Sequence, residues 1–438
     1  MAAPERDSRG VEAVITAKVV ALRERIFARV NGEEGIPVPS ERFDAAAFRE
    51  LYASPAAHGR SEGAGLSDLF WYWLAPGPQV HQEHLEAGPR YDQAARTSRH
   101  VLAVPKPQIE ELSRRCAARV LDELPRKEMT EVRLRDLMMP IWAEVYYELV
   151  FQESCPRHAR NLIVANADDV VTSLKATGLR HMRTRDRLTD YLRRRIDDVP
   201  VELPELFTRD EKAWYLQGAF FNTAVVQMSE AMTHLLLAVA QHEKVQDRLV
   251  REPADDDYLD RVINEALRAF PLFGIAHRIT TEDIRVSGTT VHSGSVLLFN
   301  YAAYQNSGFE RPEQFDPDRW EHLSPKDTTF IPFGVTANRA CPARGVAPVS
   351  MRAVAREVLR RFALASSVSH TRSIPHRGPC LLVDRKTETS LREPLARMRR
   401  RDRREDITRS LTQLVLGTYM VWDARRRRMC GNYFEGGA

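Results

Sequence analysis

The sequence predicts a mainly α fold with a minor β region, and three stretches carry that expectation. Glu211 to His242 has no proline and no glycine after Gly218, and it is apolar around most of its circumference, the pattern of a long buried helix crossing a domain. Tyr258 to Phe270 places Leu259, Val262, Ile263, Ala266, Leu267 and Phe270 at helical spacing and stops at Pro271. Beyond Cys341 the spacing recurs at Met351, Val354, Ala355, Val358, Leu359 and Phe362. Cys341 therefore stands in a loop that feeds a helix.

In chain order, Val11 to Val30 and Phe43 to Tyr52 read as helices without visible chemistry. Gly59 to Pro89 is rich in Gly and Pro yet holds Phe70-Trp71-Tyr72-Trp73, either a local hydrophobic staple or one wall of an apolar pocket. Arg96, Arg99 and His100 follow in a helical segment. Ile109 to Leu121, Met138 to Phe151 and Asn161 to Leu174 read as further helices, and the Arg-rich segment 180 to 195 must keep one face wet. Ile284 to Val286, Val291 and Val296 to Asn300 alternate around Gly288 and Gly294, as in a small sheet with tight turns. Arg392 to Arg404 is a basic run, and Ile407 to Val421 has helical character. A helix packed on the domain explains this tail, and docking to a partner or an acidic surface is the alternative.

Bulk properties narrow the class. A net charge of +4 over 438 residues, with arginines mixed among acids, gives no signal for nucleic acid. The five cysteines, Cys116, Cys155, Cys341, Cys380 and Cys430, lack CxxC spacing, so neither a zinc site nor a disulfide framework is indicated and a reducing cytoplasm is expected. Met1 to Gly10 is polar and charged. No uninterrupted apolar run is long enough to span a bilayer, so no membrane association is expected.

The loop around Cys341 has a chemical use. A helix N-terminus and nearby backbone N–H groups favour a thiolate, and a thiolate ligates metals. Gly334, Ala337, Ala340 and Ala343 let a large flat group approach the backbone, Arg339 offers a cation to an acid at its rim, and Phe333 covers the sulfur. A lone intracellular cysteine is also a common small core residue.

The run Phe333, Gly334, Arg339, Cys341, Ala343 resembles the haem-binding loop of the cytochrome P450 monooxygenases, with one extra residue between Phe333 and Cys341 and without the usual second glycine. Two further motifs follow the same family's order. Glu265 and Arg268, three apart on one helix side, resemble its Glu-x-x-Arg pair, and Phe309 to Trp320 resembles its meander. The resemblance implies a buried triad of Glu265, Arg268 and Arg319, structural in role. It also implies propionate-binding positions at Arg278, with His277 beside it, and more weakly at Arg96. Residues 374 to 383 resemble the family's terminal β-hairpin.

The distal helix departs from the family's acid-alcohol pattern. Counting back from Ala240-Gln241-His242 puts Val226 at the acid and Gln227 at the alcohol. The rival register, one turn earlier, aligns Asn222-Thr223 and places Phe220 at the usual glycine. In the preferred register neither carboxylate nor hydroxyl is present, so protons come from Gln227 holding a water, from substrate groups, or not at all, and Thr223 is the candidate of the rival register.

The resemblance thus implies a cytochrome P450 domain over residues 1–387, about a dozen helices with haem b between the long helix and Cys341, and an Arg-rich C-terminal extension with one helix over 388–438. It implies a soluble bacterial-type monooxygenase that oxidises a small organic substrate, as in tailoring of specialised metabolites. Dioxygen is the oxidant, and a ferredoxin with its reductase supplies electrons, met by Arg339, Arg344 and Arg352. A peroxide-using or non-redox haem-thiolate enzyme and a non-catalytic haem-binding scaffold are the alternatives.

Overall fold

The computed structural model describes residues 35–371, 374–387 and 389–436. The expected helix over 11–30 lies outside them. The core is built on one long helix that begins at Arg209 with a reciprocal cap: Thr208 Oγ1 accepts from Glu211 N, and Glu211 Oε2 accepts from Thr208 N at 3.0 Å. It runs through Arg209–Leu216, widens into a π-helix over Gln217–Ala224, and returns to α-helix over Val225–Gln241. Leu134–Phe151, Asp256–Ala269 and Ala347–Arg361 pack around its second half. Those contacts explain why Met232, Leu235, Leu236, Leu237 and Ala238 are all fully buried. By length and composition the segment Arg209–Gln241 could cross a bilayer, but most of it is buried inside this domain.

Two three-stranded sheets flank the helices. In one, Val296–Asn300 pairs in parallel with Ile36–Val38 and antiparallel with Ile275–Ile279. In the other, Pro379–Asp384 lies between Met129–Arg133 and Phe362–Ala365, antiparallel to both. A separate hairpin joins Ile284–Val286 to Thr289–Val291 through Ser287 and Gly288, both at positive φ, which suits a tight two-residue turn to the strand twist.

The meander closes on the helix Asp256–Ala269 through one buried carboxylate. Glu265 accepts from Arg268 at 2.7 Å and 2.9 Å, Arg319 at 3.2 Å, Trp320 Nε1 at 2.9 Å and Asp316 N at 3.0 Å. Glu265 and Arg268 are fully buried. Arg268 and Arg319 spend their remaining donors on the carbonyls of Glu310, Pro312 and Gln314, so both guanidinium groups are hydrogen-bonded although two cations share one carboxylate.

The tail folds back onto the domain. Its basic run is helical too, part of one helix Arg392–Arg427, and a second short helix, Met429–Glu435, follows where one helix was expected. Asp68, on the helix Gly65–Leu74, accepts from Cys430 N at 2.8 Å and Gly431 N at 3.2 Å, and Trp71 packs on Tyr433 and Phe434.

Candidate active site

A cavity of about 1190 Å³, mouth included, opens between the long helix and the cysteine loop. Cys341 is held on one wall by its own N–H, which donates to Phe333 O at 2.9 Å, and the sulfur sits just before the short turn Pro342–Gly345. The expected lowering of the thiol does not prevail: burial outweighs the Ala343 backbone N–H and pushes Cys341 up to about 11. A cationic metal is what such a thiol needs in order to ionise. Gly334 adopts φ +76°, and a Cβ there would stand 3.3 Å from Tyr52 Oη, so glycine keeps this wall open.

Three arginines gather here, Arg278 and Arg339 lining the cavity and Arg60 beside them, each with a donor that meets no partner among the described residues. Arg60, on the Gly59–Glu62 segment, is 1% exposed, and its Nε and Nη1 are buried without a hydrogen-bond partner. Arg278 donates to Tyr52 Oη at 2.8 Å and to His277 O at 2.7 Å but leaves Nε unpartnered. Arg339 lies 3.7 Å over the Tyr91 ring and donates to Leu85 O at 2.6 Å, with Nη2 unpartnered. Burial first, then repulsion from Arg278 and Arg339, drags Arg60 down to about 9. Glu83 is the carboxylate among them; burial would raise it, but Arg60, Arg278, His81 and Arg339 together hold it below its ordinary range. Buried cations with unspent donors, beside a thiol in a small-residue loop, fit a flat group that carries carboxylates and a metal.

The strand Ile275–Ile279 sorts two candidates by alternation. Ala276 and Arg278 face the cavity. His277 points to the other side, where its Nε2 donates to Arg60 O at 2.8 Å and its ring stacks on Phe70 at 5.1 Å. It positions Arg60 and is not itself a rim ligand, which corrects its expected role. Arg96 is exposed on the helix Pro89–Val101 and does not line the cavity, which corrects its expected role; the further cation on this side is Arg60, behind Arg278 and Arg339. Arg60 had no motif to mark it, since its neighbours Gly59 and Ser61 read as loop.

The distal wall is Ala219, Phe220, Thr223, Ala224, Gln227 and Met228. Over the π stretch each residue turns less about the axis, which brings successive pairs to the same side. Both expected registers thus reach the cavity, Thr223 through one turn and Gln227 through the next. Val226 does not line it. The expected absence of a hydroxyl is overturned, because Thr223 Oγ1 lies 2.8 Å from His81 Nε2. Glu83 N–H approaches His81 Nδ1 at 3.4 Å, which favours the tautomer with the proton on Nε2; in that tautomer Thr223 accepts from the ring and has its own hydrogen to donate. Burial lowers His81, which keeps the ring neutral at pH 7.

The aromatic cluster behaves as a staple and none of its members lines the cavity: Trp71 donates to Ser61 Oγ at 3.1 Å, and Arg180 stacks on Tyr72 at 3.5 Å. Leu272 and Phe273 do line it. Phe270 stacks instead on His370 at 3.6 Å between centroids. The expected basic docking face is also reduced. Arg339 is spent inside the rim and Arg352 pairs with Asp256 and Asp260, which leaves Arg344 exposed.

Residues 156–390 match the family model described as Cytochrome P450. The putative cytochrome P450 135B1 of Mycobacterium tuberculosis is 35% identical over 142 residues, 30% of either chain. The beta-amyrin 11-oxidase of Glycyrrhiza uralensis is 31% identical over 126 residues, 28% of this chain and 25% of that protein. These alignments span under a third of the curated relatives they match. Among solved structures, cytochrome P450 OleT in complex with arachidonic acid superposes with a TM-score of 0.63 at 16% identity, covering 77% of this chain and 87% of that one. Retinoic acid-bound cyanobacterial CYP120A1 gives 0.61 at 16% identity, with the same coverage. With a matched region that exceeds half the chain and contains the triad, the distal helix and the cysteine loop, the protein belongs to the cytochrome P450 family, whose members bind haem b.

Proposed function

We propose that the chain is a haem-thiolate monooxygenase of the cytoplasm that oxidises a small organic substrate with dioxygen, using electrons from a ferredoxin and its reductase. The observation that carries this reading is the cavity with Cys341 on one wall, the distal helix on the other, and Arg278 and Arg339 in its lining with Arg60 behind them, all with unspent donors among the described residues. Cys341 would hold haem b through its thiolate, and the bound haem would supply dioxygen activation.

The chain's own residues do the rest. Arg278 and Arg339, with Arg60 behind them, would hold the group's carboxylates by charge-assisted hydrogen bonds. Phe333 and Pro332 keep water from the sulfur. Ala219, Phe220, Leu272 and Phe273 give the substrate an apolar wall. Thr223 holds a donatable proton above that wall, and His81 fixes the hydroxyl's orientation. Gln227, one turn on, orients a water without itself being acidic. The apolar wall suits a hydrophobic substrate, as in tailoring of specialised metabolites, and Arg344 is the exposed cation beside the cysteine loop offered to an acidic ferredoxin.

The test is the reduced carbon monoxide difference spectrum, followed by turnover with a ferredoxin, its reductase and dioxygen. A thiolate-type band and product that depends on the reductant are expected. A nitrogen-type band in fresh protein overturns the assignment. Equal product from hydrogen peroxide alone replaces it with the peroxide-using reading, and failure of every ligand screened to move the haem band replaces it with a binding scaffold.

A further inference from the structure

The helix Arg392–Arg427 has two unlike faces. One packs on the domain through Met398, Ser410, Gly417, Met420, Val421 and Ala424. The other carries Leu411, Val415, Tyr419 and Trp422, which are 50%, 66%, 48% and 55% exposed. At roughly 100° per residue these four share a stripe about 80° wide. Single exposed apolar side chains need no explanation, but four in a row on one helix face do. The same stripe is closed by Arg400 and Arg404 before it and Arg426 after it, the last lying 5.1 Å over the Trp422 ring.

Charge is concentrated on the same tail. Residues 392–436 hold twelve arginines against six acids, a net +6, while the rest of the chain has a net charge of −2. Arg397, Arg399, Arg400, Arg403 and Arg404 are exposed and enter no ion pair among the described residues. A second copy laid antiparallel on the stripe would bring Arg425–Arg428 near Glu405 and Asp406. Those acids are already engaged: Glu405 by Arg133 and Arg409, Asp406 by Arg409. A parallel copy would set arginines against arginines. An aromatic and aliphatic stripe ending in arginines matches the layering of a bilayer surface, apolar contacts at the acyl boundary and cations among anionic headgroups.

We propose that this face docks the protein onto a lipid surface rich in anionic phospholipid, with the helix lying in the plane of the interface. The test uses the full-length, haem-loaded protein sedimented with vesicles of phosphatidylglycerol and phosphatidylcholine, and with vesicles of phosphatidylcholine alone. Partition onto the anionic vesicles is expected to be about 10-fold stronger or more and to fall steeply in high salt. Trp422→Ser with Tyr419→Ser is expected to weaken it by about 10-fold or more. Leu206→Ser, an equally exposed site elsewhere, leaves it unchanged. Val415→Ser alone, at the most exposed position, serves if the double variant loses its haem spectrum or unfolding midpoint. Equal binding by variant and parent, or no anionic preference, overturns the proposal. So does stripe-dependent dimerisation, or stripe-dependent capture of a ferredoxin, without vesicle binding.

Discussion

Thr223 and His81 form the contact on which proton handling turns, so removing either should have the same consequence. Thr223→Val deletes the hydroxyl at nearly constant volume, and His81→Phe deletes the donor that orients it. Each variant is expected to release more peroxide per electron pair consumed, and the double variant to be no worse than the weaker single, because the two groups act as one unit. Independent, additive losses would separate them. Gln227→Ala is expected to raise peroxide release further, since it removes the next turn's hold on water. At the rim, Arg278→Ala removes one charged hydrogen-bonding partner of a carboxylate, a loss of about 1.5–3 kcal/mol in haem affinity, measured by haem transfer to an apo-acceptor. Beside it, Arg60→Gln should cost the ligand-free protein little, because it removes a buried charge crowded by Arg278 and Arg339 while keeping most of the side chain's volume.

Among the elements, the meander depends on Glu265. Glu265→Gln leaves Arg268 and Arg319 buried without their counter-ion, and the loss should be about 3–5 kcal/mol in denaturant unfolding, with haem released as the meander loosens. The terminal helix Met429–Glu435 is a smaller case. Deleting the chain from Met429 removes two donors from Asp68 and two aromatic partners from Trp71, and a loss of about 2 kcal/mol is expected. Trp71 and Ser61 adjoin Arg60, so that truncation should also loosen the haem rim. A lower unfolding midpoint with unchanged haem affinity would confine the terminal helix to packing.

Across the whole molecule, acid should unfold the protein through its buried histidines. His277 and His376 are lowered to about 4, and His84 lies well below its ordinary range, in each case by burial first. In the unfolded chain these groups take up protons near pH 6.5, whereas in the folded chain His277 and His376 do so only near pH 4. The unfolded state therefore binds more protons between those limits. Stability is full above about pH 6.5 and falls as pH drops through that window, by on the order of 3 kcal/mol for each fully buried ring. Unfolding midpoints recorded from pH 7 to pH 4.5 should follow this slope, and His277→Gln should flatten it.

The sequence by itself determined what depends on local spacing and on fixed chemical partners. The long helix, Cys341 in its loop, and the grouping of Glu265, Arg268 and Arg319 are legible because apolar period and motif order survive without coordinates. The tertiary structure decided what depends on direction and distance. A π-helix set both Thr223 and Gln227 toward one cavity, which no count of residues could choose between. Strand alternation sent Arg278 inward and His277 outward. A loop arginine, Arg60, stands beside Arg278 and Arg339 because the fold brings the Gly59–Glu62 segment against them, while Arg96 lies on the wet side of its helix. Periodicity specifies which face of an element is apolar, but only packing specifies what that face meets.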